Sequence, residues 1–113
     1  MKRFLISFDD GAMAHLSDAE LQQASIDSRA VVADAKRAGA WIFGCGLAHQ
    51  RATLVTIDGS VQDGPDPDVK VGVGGLTLIE VETREEAHWW AARIAASCRC
   101  AQEVREVLFD PES

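Results

Sequence analysis

The sequence predicts an α+β fold built on an antiparallel sheet, and three observations lead to it. Short runs with a period of two, typical of half-buried strands, alternate with two longer runs of helical spacing. Each helical run begins with Ser/Thr-x-x-Glu, the capping box that satisfies backbone amides at a helix start. The 113 residues, 47% of them hydrophobic, suit one domain with its own core. We therefore expect a single domain over residues 1–109 and a frayed tail at 110–113.

The first strand and first helix are expected in the N-terminal third of the chain. Residues 3–8 alternate with a period of two, with phenylalanine or isoleucine at every second position. Ser17 and Glu20 form the first capping box, and helical spacing of apolar or small residues follows it. Lys36 and Arg37 suit the negative end of the helix dipole, and Gly39 is the expected stop.

The later elements follow from turn signals and from the second capping box, Thr83 to Glu86. A stripe of apolar or small residues predicts the helix behind that box: Ala87, Trp90, Ala91, Ile94 and Cys98. The remaining elements are expected as strands at 40–44 and 51–57, a short return strand at 60–62, a strand at 76–82 and a last strand at 102–109.

The resulting order is β-α-β-β-(loop)-β-α-β, in which two β-α-β halves share one antiparallel sheet. This is the ferredoxin-like pattern, with both helices on one face of the sheet. The other face also carries large apolar residues, so it requires a cover. A second copy is the simplest cover for so short a chain. The pattern therefore predicts a homodimer that forms through the sheet face.

Charge and cysteine content exclude several classes of function. Eleven basic and 18 acidic residues give a net charge of −7, which opposes binding to nucleic acid. The N-terminal apolar run is too short for a signal peptide or a membrane span. Cys98 and Cys100 form a C-x-C with no matching cysteine or histidine pair elsewhere, so no metal site is expected, and no cofactor either. We expect a reduced cytoplasmic protein without a membrane partner.

Two residues stand out as candidates for acid–base chemistry. His15 lies in the loop after the first strand, close in sequence to Asp9 and Asp10, and it is either a general base or an incidental loop residue. Glu80 shares a strand face with leucines. It is either a semi-buried proton acceptor or a rim carboxylate that pairs with Arg105 or Arg51.

A series of motifs in the second half of the chain resembles the YCII-related family, in particular its DGPF-domain branch. The order of the motifs carries the resemblance, which covers nearly the whole chain. They are Asp63-Gly64-Pro65, Lys70, Gly74-Gly75, Leu78-Ile79-Glu80-Val81, Glu85-Glu86-Ala87, Trp90-Ala91-Ala92-Arg93-Ile94 and Glu103-Val104-Arg105.

The resemblance implies a ferredoxin-like fold that pairs into a dimeric α/β barrel with a cleft at the dimer interface. Relatives in the wider superfamily include muconolactone isomerases and haem or quinone oxygenases, and some DGPF-type proteins are associated with extracytoplasmic-function sigma factors. The sequence departs from the family pattern at Asp66, where a phenylalanine is usual, and at Val71, where a glutamate is usual. Ser28 stands where many relatives carry a candidate catalytic histidine.

Two interpretations of function follow. In the first, a small metabolite binds in the dimer cleft. Asp63, Lys70 and Arg105 contact the ligand, and His15 or Glu80 acts as proton acceptor for isomerase- or lactone-type chemistry. In the second, the fold is a non-catalytic regulatory or protein-interaction module that has lost the candidate base.

Overall fold

A computed structural model describes residues 1–113 and has an α+β architecture with two helices and six strands. The elements in chain order are β1 Lys2–Asp9, α1 Asp18–Arg37, β2 Trp41–Gly46, β3 Thr53–Val55, β4 Val61–Asp63, β5 Val73–Val81, α2 Arg84–Cys98 and β6 Glu103–Glu106. Neither helix is long and apolar enough to cross a membrane.

Four strands form the main sheet in the order β2-β5-β1-β6, and every neighbouring pair is antiparallel. The long strands β1 and β5 occupy the centre, where Phe4 lies opposite Ile79 and Leu5 lies opposite Leu78. The edge strands are shorter. Residues 3–8 therefore belong to a central strand, and their alternating side chains point to the two faces of the sheet.

The strand expected at 51–57 does not join the main sheet. Only Thr53–Val55 is extended, and it pairs with β4 in a separate two-stranded hairpin whose residues are all exposed. The last strand is also shorter than expected, because its pairing with β1 ends at Glu106. Leu108 and Phe109 beyond it are exposed. In both cases the run of residue types that favour strands is longer than the part that forms a ladder.

Both helices pack on one face of the sheet. Phe4, Ile6 and Ile79 from the central strands are almost completely buried there. The helices add small or aromatic residues to the same cluster, namely Val31 and Ala35 from α1 and Ala87, Trp90 and Ala91 from α2. The apolar stripe predicted for the second helix thus faces the sheet: its first three residues are buried in the cluster, Ile94 packs against it, and Cys98 is partly buried.

The other sheet face carries no helix and has an apolar centre with a charged edge. Cross-strand pairing places Phe43, Leu78 and Leu5 in one row across it. Phe43 is 55% exposed, and the two leucines are half-buried. Arg3 and Glu80 form an ion pair at the edge of the same face. We call this surface the helix-free face.

The first capping box forms completely. Ser17 Oγ accepts a hydrogen bond from the backbone N–H of Glu20 (3.2 Å), and the Glu20 carboxylate accepts one from the N–H of Ser17 (3.0 Å). At the second helix only the first half is present, from the N–H of Glu86 to Thr83 Oγ1 (3.2 Å). The Ser17 hydrogen bonds lower the pKa of Glu20, because they favour its charged form.

Ser17→Ala is expected to lower the free energy of unfolding by about 1 kcal/mol, because the N–H of Glu20 loses its acceptor. Urea denaturation followed by circular dichroism measures the change. Ser25→Ala within α1 is the matched control. It should leave stability unchanged or raise it by up to about 0.5 kcal/mol, since alanine has the higher helix propensity. An equal loss in both variants would argue against the cap as the cause.

Candidate functional site

The structure does not bring the predicted site residues together. No hydrogen bond or ion pair joins any two of His15, Asp63, Lys70, Glu80 and Arg105. His15 and Lys70 belong to the loops at the Asp9 end of β1 and the Val73 end of β5. Glu80 lies near the opposite end of β5, about 20 Å away at the rise of a β-strand.

Glu80 pairs with neither of the arginines that the sequence suggested. Its carboxylate accepts a hydrogen bond from Arg3 Nε at 2.9 Å, across the β1–β5 register. The side chains of Glu80 and Arg3 are 34% and 47% exposed, so the pair is partly solvated, near one end of the two central strands. Arg51 instead pairs with Asp66 at 3.2 Å.

The remaining predicted residues lie on the surface. Asp63 is the last residue of β4 and pairs with Thr53 in the exposed hairpin. Arg105 lies opposite Leu5 on the edge strand β6 and is exposed. Lys70, from the long loop before β5, lines a small cavity together with Asp10.

An apolar space of a size to hold a metabolite lies between the helices and the sheet. It has a volume of about 550 Å³, within the range of small-molecule sites. Eleven of its sixteen lining residues are hydrophobic. They include three aromatic side chains, Phe8 from β1, Trp41 from β2 and Trp90 from α2. We call this space the helix–sheet cavity. It lies within one protomer, whereas the resemblance implied a cleft at a dimer interface.

Glycines in β2 and β5 make room for aromatic rings that line this cavity. At Gly44 a Cβ atom would lie 2.5 Å from Trp41 Cη2, and at Gly75 one would lie 2.5 Å from Phe8 Cε1. The ring edges thus occupy the volume that side chains would take. Nothing lies within 4 Å of the Cβ direction of Gly46, so a side chain there would enter open space. Glycine weakens a strand interior, and close approach of another group is the usual reason for its presence.

Arg29 is the only charged residue that lines the helix–sheet cavity. It is exposed on α1, and none of the eight ion pairs of the molecule includes it. Its guanidinium is therefore free to bind an anionic group, for which its fork of N–H donors is suited.

The helices bring one hydroxyl and one thiol to the lining, Ser28 from α1 and Cys98 from α2, and neither is a base at neutral pH. Ser28 donates its hydroxyl proton to the carbonyl of Ser25 on the preceding turn (3.1 Å). Burial raises the pKa of the Cys98 thiol above its ordinary value, although the Ser97 hydroxyl and Arg99 act the other way. Cys98 is consequently a neutral thiol at pH 7. No histidine, aspartate or glutamate lines the cavity.

No group of three or more His, Cys, Asp or Glu side chains in the molecule could hold a metal ion. Burial likewise raises the pKa of the Cys100 thiol, and the neighbouring Cys98 adds to the effect. The C-x-C pair is thus composed of two protonated thiols at neutral pH.

The two glycines of Gly44-Cys45-Gly46 were the sequence feature that could have indicated the helix–sheet cavity. Gly44-Cys45-Gly46 lacks the features of a dinucleotide-binding motif. In the structure, its two glycines lie on the helix side of a strand that is otherwise aromatic and aliphatic. Glycines at alternate positions of a strand lie on the same face, and they leave room between that face and a helix for other groups.

No protein-family model matches the chain, and no curated protein is similar to it in sequence.

Proposed function

We propose that this protein binds a small, largely aromatic metabolite with one carboxylate group in the helix–sheet cavity. The observation that carries the proposal is a cavity of about 550 Å³ with an apolar lining and a single unpaired cation. Its aromatic residues favour ring-shaped ligands, because aromatic pairs gain energy beyond the area that they bury. Arg29 supplies the matching charge for the carboxylate.

Binding without catalysis is the function that the chemistry of this cavity supports. A proton-transfer site needs a side chain whose pKa lies near the working pH. Ser28 and a protonated Cys98 do not meet this requirement. The interpretation as a non-catalytic module is therefore favoured over acid–base chemistry at this position, and a ligand-responsive regulatory protein is its natural form.

We also propose that the chain is a YCII-related protein of the DGPF branch with a ferredoxin-like core. The strand order supports this once the β3–β4 hairpin is set aside, because the order β2-β5-β1-β6 places the first and third core strands side by side in the centre. The motifs from Asp63-Gly64-Pro65 to Glu103-Val104-Arg105 support it independently.

A homodimer through the helix-free face completes the proposed assembly. The apolar row of Phe43, Leu78 and Leu5 with a charged edge matches the usual anatomy of an interface, an apolar centre with a polar rim. Two such faces stacked together would bury both rows and give the dimeric α/β barrel.

Titration with 2-naphthoate, followed by tryptophan fluorescence, tests the ligand proposal. Trp41 and Trp90 line the cavity, so binding should change their emission. Arg29→Met is expected to weaken 2-naphthoate binding about 10-fold, because one charge-assisted hydrogen-bond partner is lost. Binding of the neutral 2-naphthamide should change little in the same variant.

Lys36→Met is the matched control, because Lys36 is an exposed cation of the same helix that does not line the cavity. It should leave both affinities unchanged. If both variants weakened 2-naphthoate binding equally, the loss of affinity would come from the general surface charge and not from a contact with Arg29. Absence of any saturable binding by the unmodified protein would refute the proposed function.

A further inference from the structure

The long loop before β5 encloses a second cavity that the proposed function does not use. It has a volume of about 390 Å³ and is lined by Pro65, Pro67 and Lys70 of the loop, by Asp10 after β1, and by the residues on either side of His49. Asp10 and Lys70 are its only charged lining residues. We call this space the loop cavity. It lies outside the helix–sheet cavity, and no residue lines both.

Asp10, which lines the loop cavity, forms a carboxylate–imidazole pair with His49, which does not itself line the cavity although Ala48 and Gln50 on either side of it do. Asp10 Oδ2 lies 2.7 Å from His49 Nδ1, although 39 residues separate them in the chain. An ionised carboxylate can only accept a hydrogen bond, so Nδ1 is the donor in this pair, and in the neutral form of the ring the lone pair is then on Nε2. The aspartate side chain is 19% exposed and the imidazole 75% exposed. The carboxylate is thus largely enclosed, and the open part of the ring is accessible.

Two glycines at and just before the start of β5 hold the segments that carry Asp10 and His49. The carbonyl of Gly72 accepts a hydrogen bond from the N–H of Asp10 (2.8 Å), and the carbonyl of Gly74 accepts one from the N–H of Leu47 (2.8 Å). A Cβ at position 74 would lie 2.9 Å from Asp10 Cα, so only glycine permits this approach. The loop therefore fixes the segments that carry Asp10 and His49 relative to each other.

Lys70 supplies an unpaired cation to the same cavity. It forms none of the ion pairs of the molecule. The nearby Arg51, in contrast, is engaged by Asp66 and by the carbonyl of Gly64. An imidazole oriented by a carboxylate of the cavity, together with an unpaired ammonium in the cavity lining, is a combination that suits a small anionic substrate with a reactive carbonyl.

We propose that the loop cavity is a hydrolytic site for small esters that carry a carboxylate. Lys70 binds the carboxylate of the substrate. His49 Nε2 removes a proton from a water molecule as the water oxygen forms a bond to the ester carbonyl carbon. The bond from that carbon to the alcohol oxygen then breaks, and the imidazolium returns the proton to the departing alcohol. Asp10 is a positioning residue, which holds the Nδ1–H tautomer and stabilises the imidazolium.

Hydrolysis of mono-4-nitrophenyl succinate, compared with that of neutral 4-nitrophenyl acetate, tests the proposal through release of 4-nitrophenolate. His49→Gln is expected to lower kcat/KM for the succinate ester about 100-fold, the usual contribution of a general base. His88→Gln, on the exposed surface of α2, is the matched control and should retain the full rate. Lys70→Met should raise KM for the succinate ester and leave hydrolysis of the acetate unchanged.

Two further readouts separate a positioning role for Asp10 from a structural one. Asp10→Asn should lower kcat and shift the pH–rate profile while the circular dichroism spectrum stays the same. The ¹⁵N chemical shifts of His49 should show Nδ1 protonated in the unmodified protein and lose that preference in Asp10→Asn. Equal hydrolysis by the unmodified protein and His49→Gln would overturn the proposal. So would a rate for the unmodified protein no higher than that of free imidazole.

Discussion

Phe4→Ala is expected to lower the free energy of unfolding by about 3–5 kcal/mol. Phe4 is fully buried between the sheet and α2, opposite Ile79 and among the small residues of the helix. The guanidinium carbon of Arg84 lies 5.4 Å from its ring centroid. Truncation removes these contacts and leaves a void that the rigid central strands cannot fill. Since small domains are stable by about 5–15 kcal/mol in total, the variant should be marginally folded.

Urea denaturation measures this loss, and the chain offers a control with the same substitution. Phe109 is 85% exposed beyond the end of β6, so Phe109→Ala should change the free energy of unfolding by less than about 0.5 kcal/mol. A loss of under about 1 kcal/mol in Phe4→Ala would contradict the placement of this residue at the centre of the core.

Phe43→Asp is expected to dissociate the proposed homodimer. The residue lies on the edge strand β2, at one end of the apolar row of the helix-free face, and a charge buried there without a partner is costly. Loss of an aromatic anchor at an interface typically costs about 2–4 kcal/mol, which corresponds to a dimer Kd about 30- to 1,000-fold higher. Analytical ultracentrifugation at micromolar concentration should show a dimer for the unmodified protein and a monomer for the variant.

Ile26→Asp is the matched control for the dimer. Ile26 is an apolar residue of similar exposure (60%) on α1, which covers the opposite face of the sheet. It should leave the sedimentation coefficient unchanged. A monomeric unmodified protein would refute the dimer, but it would leave the ligand proposal intact, because the helix–sheet cavity is enclosed by residues of one protomer.

The glycines of β2 and β5 connect the fold to both proposed sites. Each glycine in a strand interior costs roughly 0.5–1 kcal/mol relative to alanine, so several of them together are a substantial loss for a small domain. Gly44 and Gly75 accommodate the ring edges beside the helix–sheet cavity, and Gly74 permits the approach of Asp10 to β5. The glycines beside the two cavities therefore lower the intrinsic stability of the strands that contain them.

The sequence by itself determined the local elements of this protein. The capping pattern at Ser17 and Glu20 and the stop at Gly39 place α1 within a residue or two of its observed bounds. The alternation at residues 3–8 indicates a strand with two sides to cover, which is what β1 is. These features depend on hydrogen bonds and side chains a few residues apart, so a short stretch of sequence contains all that fixes them.

Only the tertiary structure decided which distant residues meet. Strand pairing brings Arg3 to Glu80, 77 residues away, and so replaces the partners that the sequence suggested. Loop packing brings His49 to Asp10, whereas proximity in the chain had pointed to His15. The third expected strand forms a separate hairpin with β4 and does not join the main sheet beside β2. Such contacts depend on register and loop closure across the whole chain, and no local pattern encodes either.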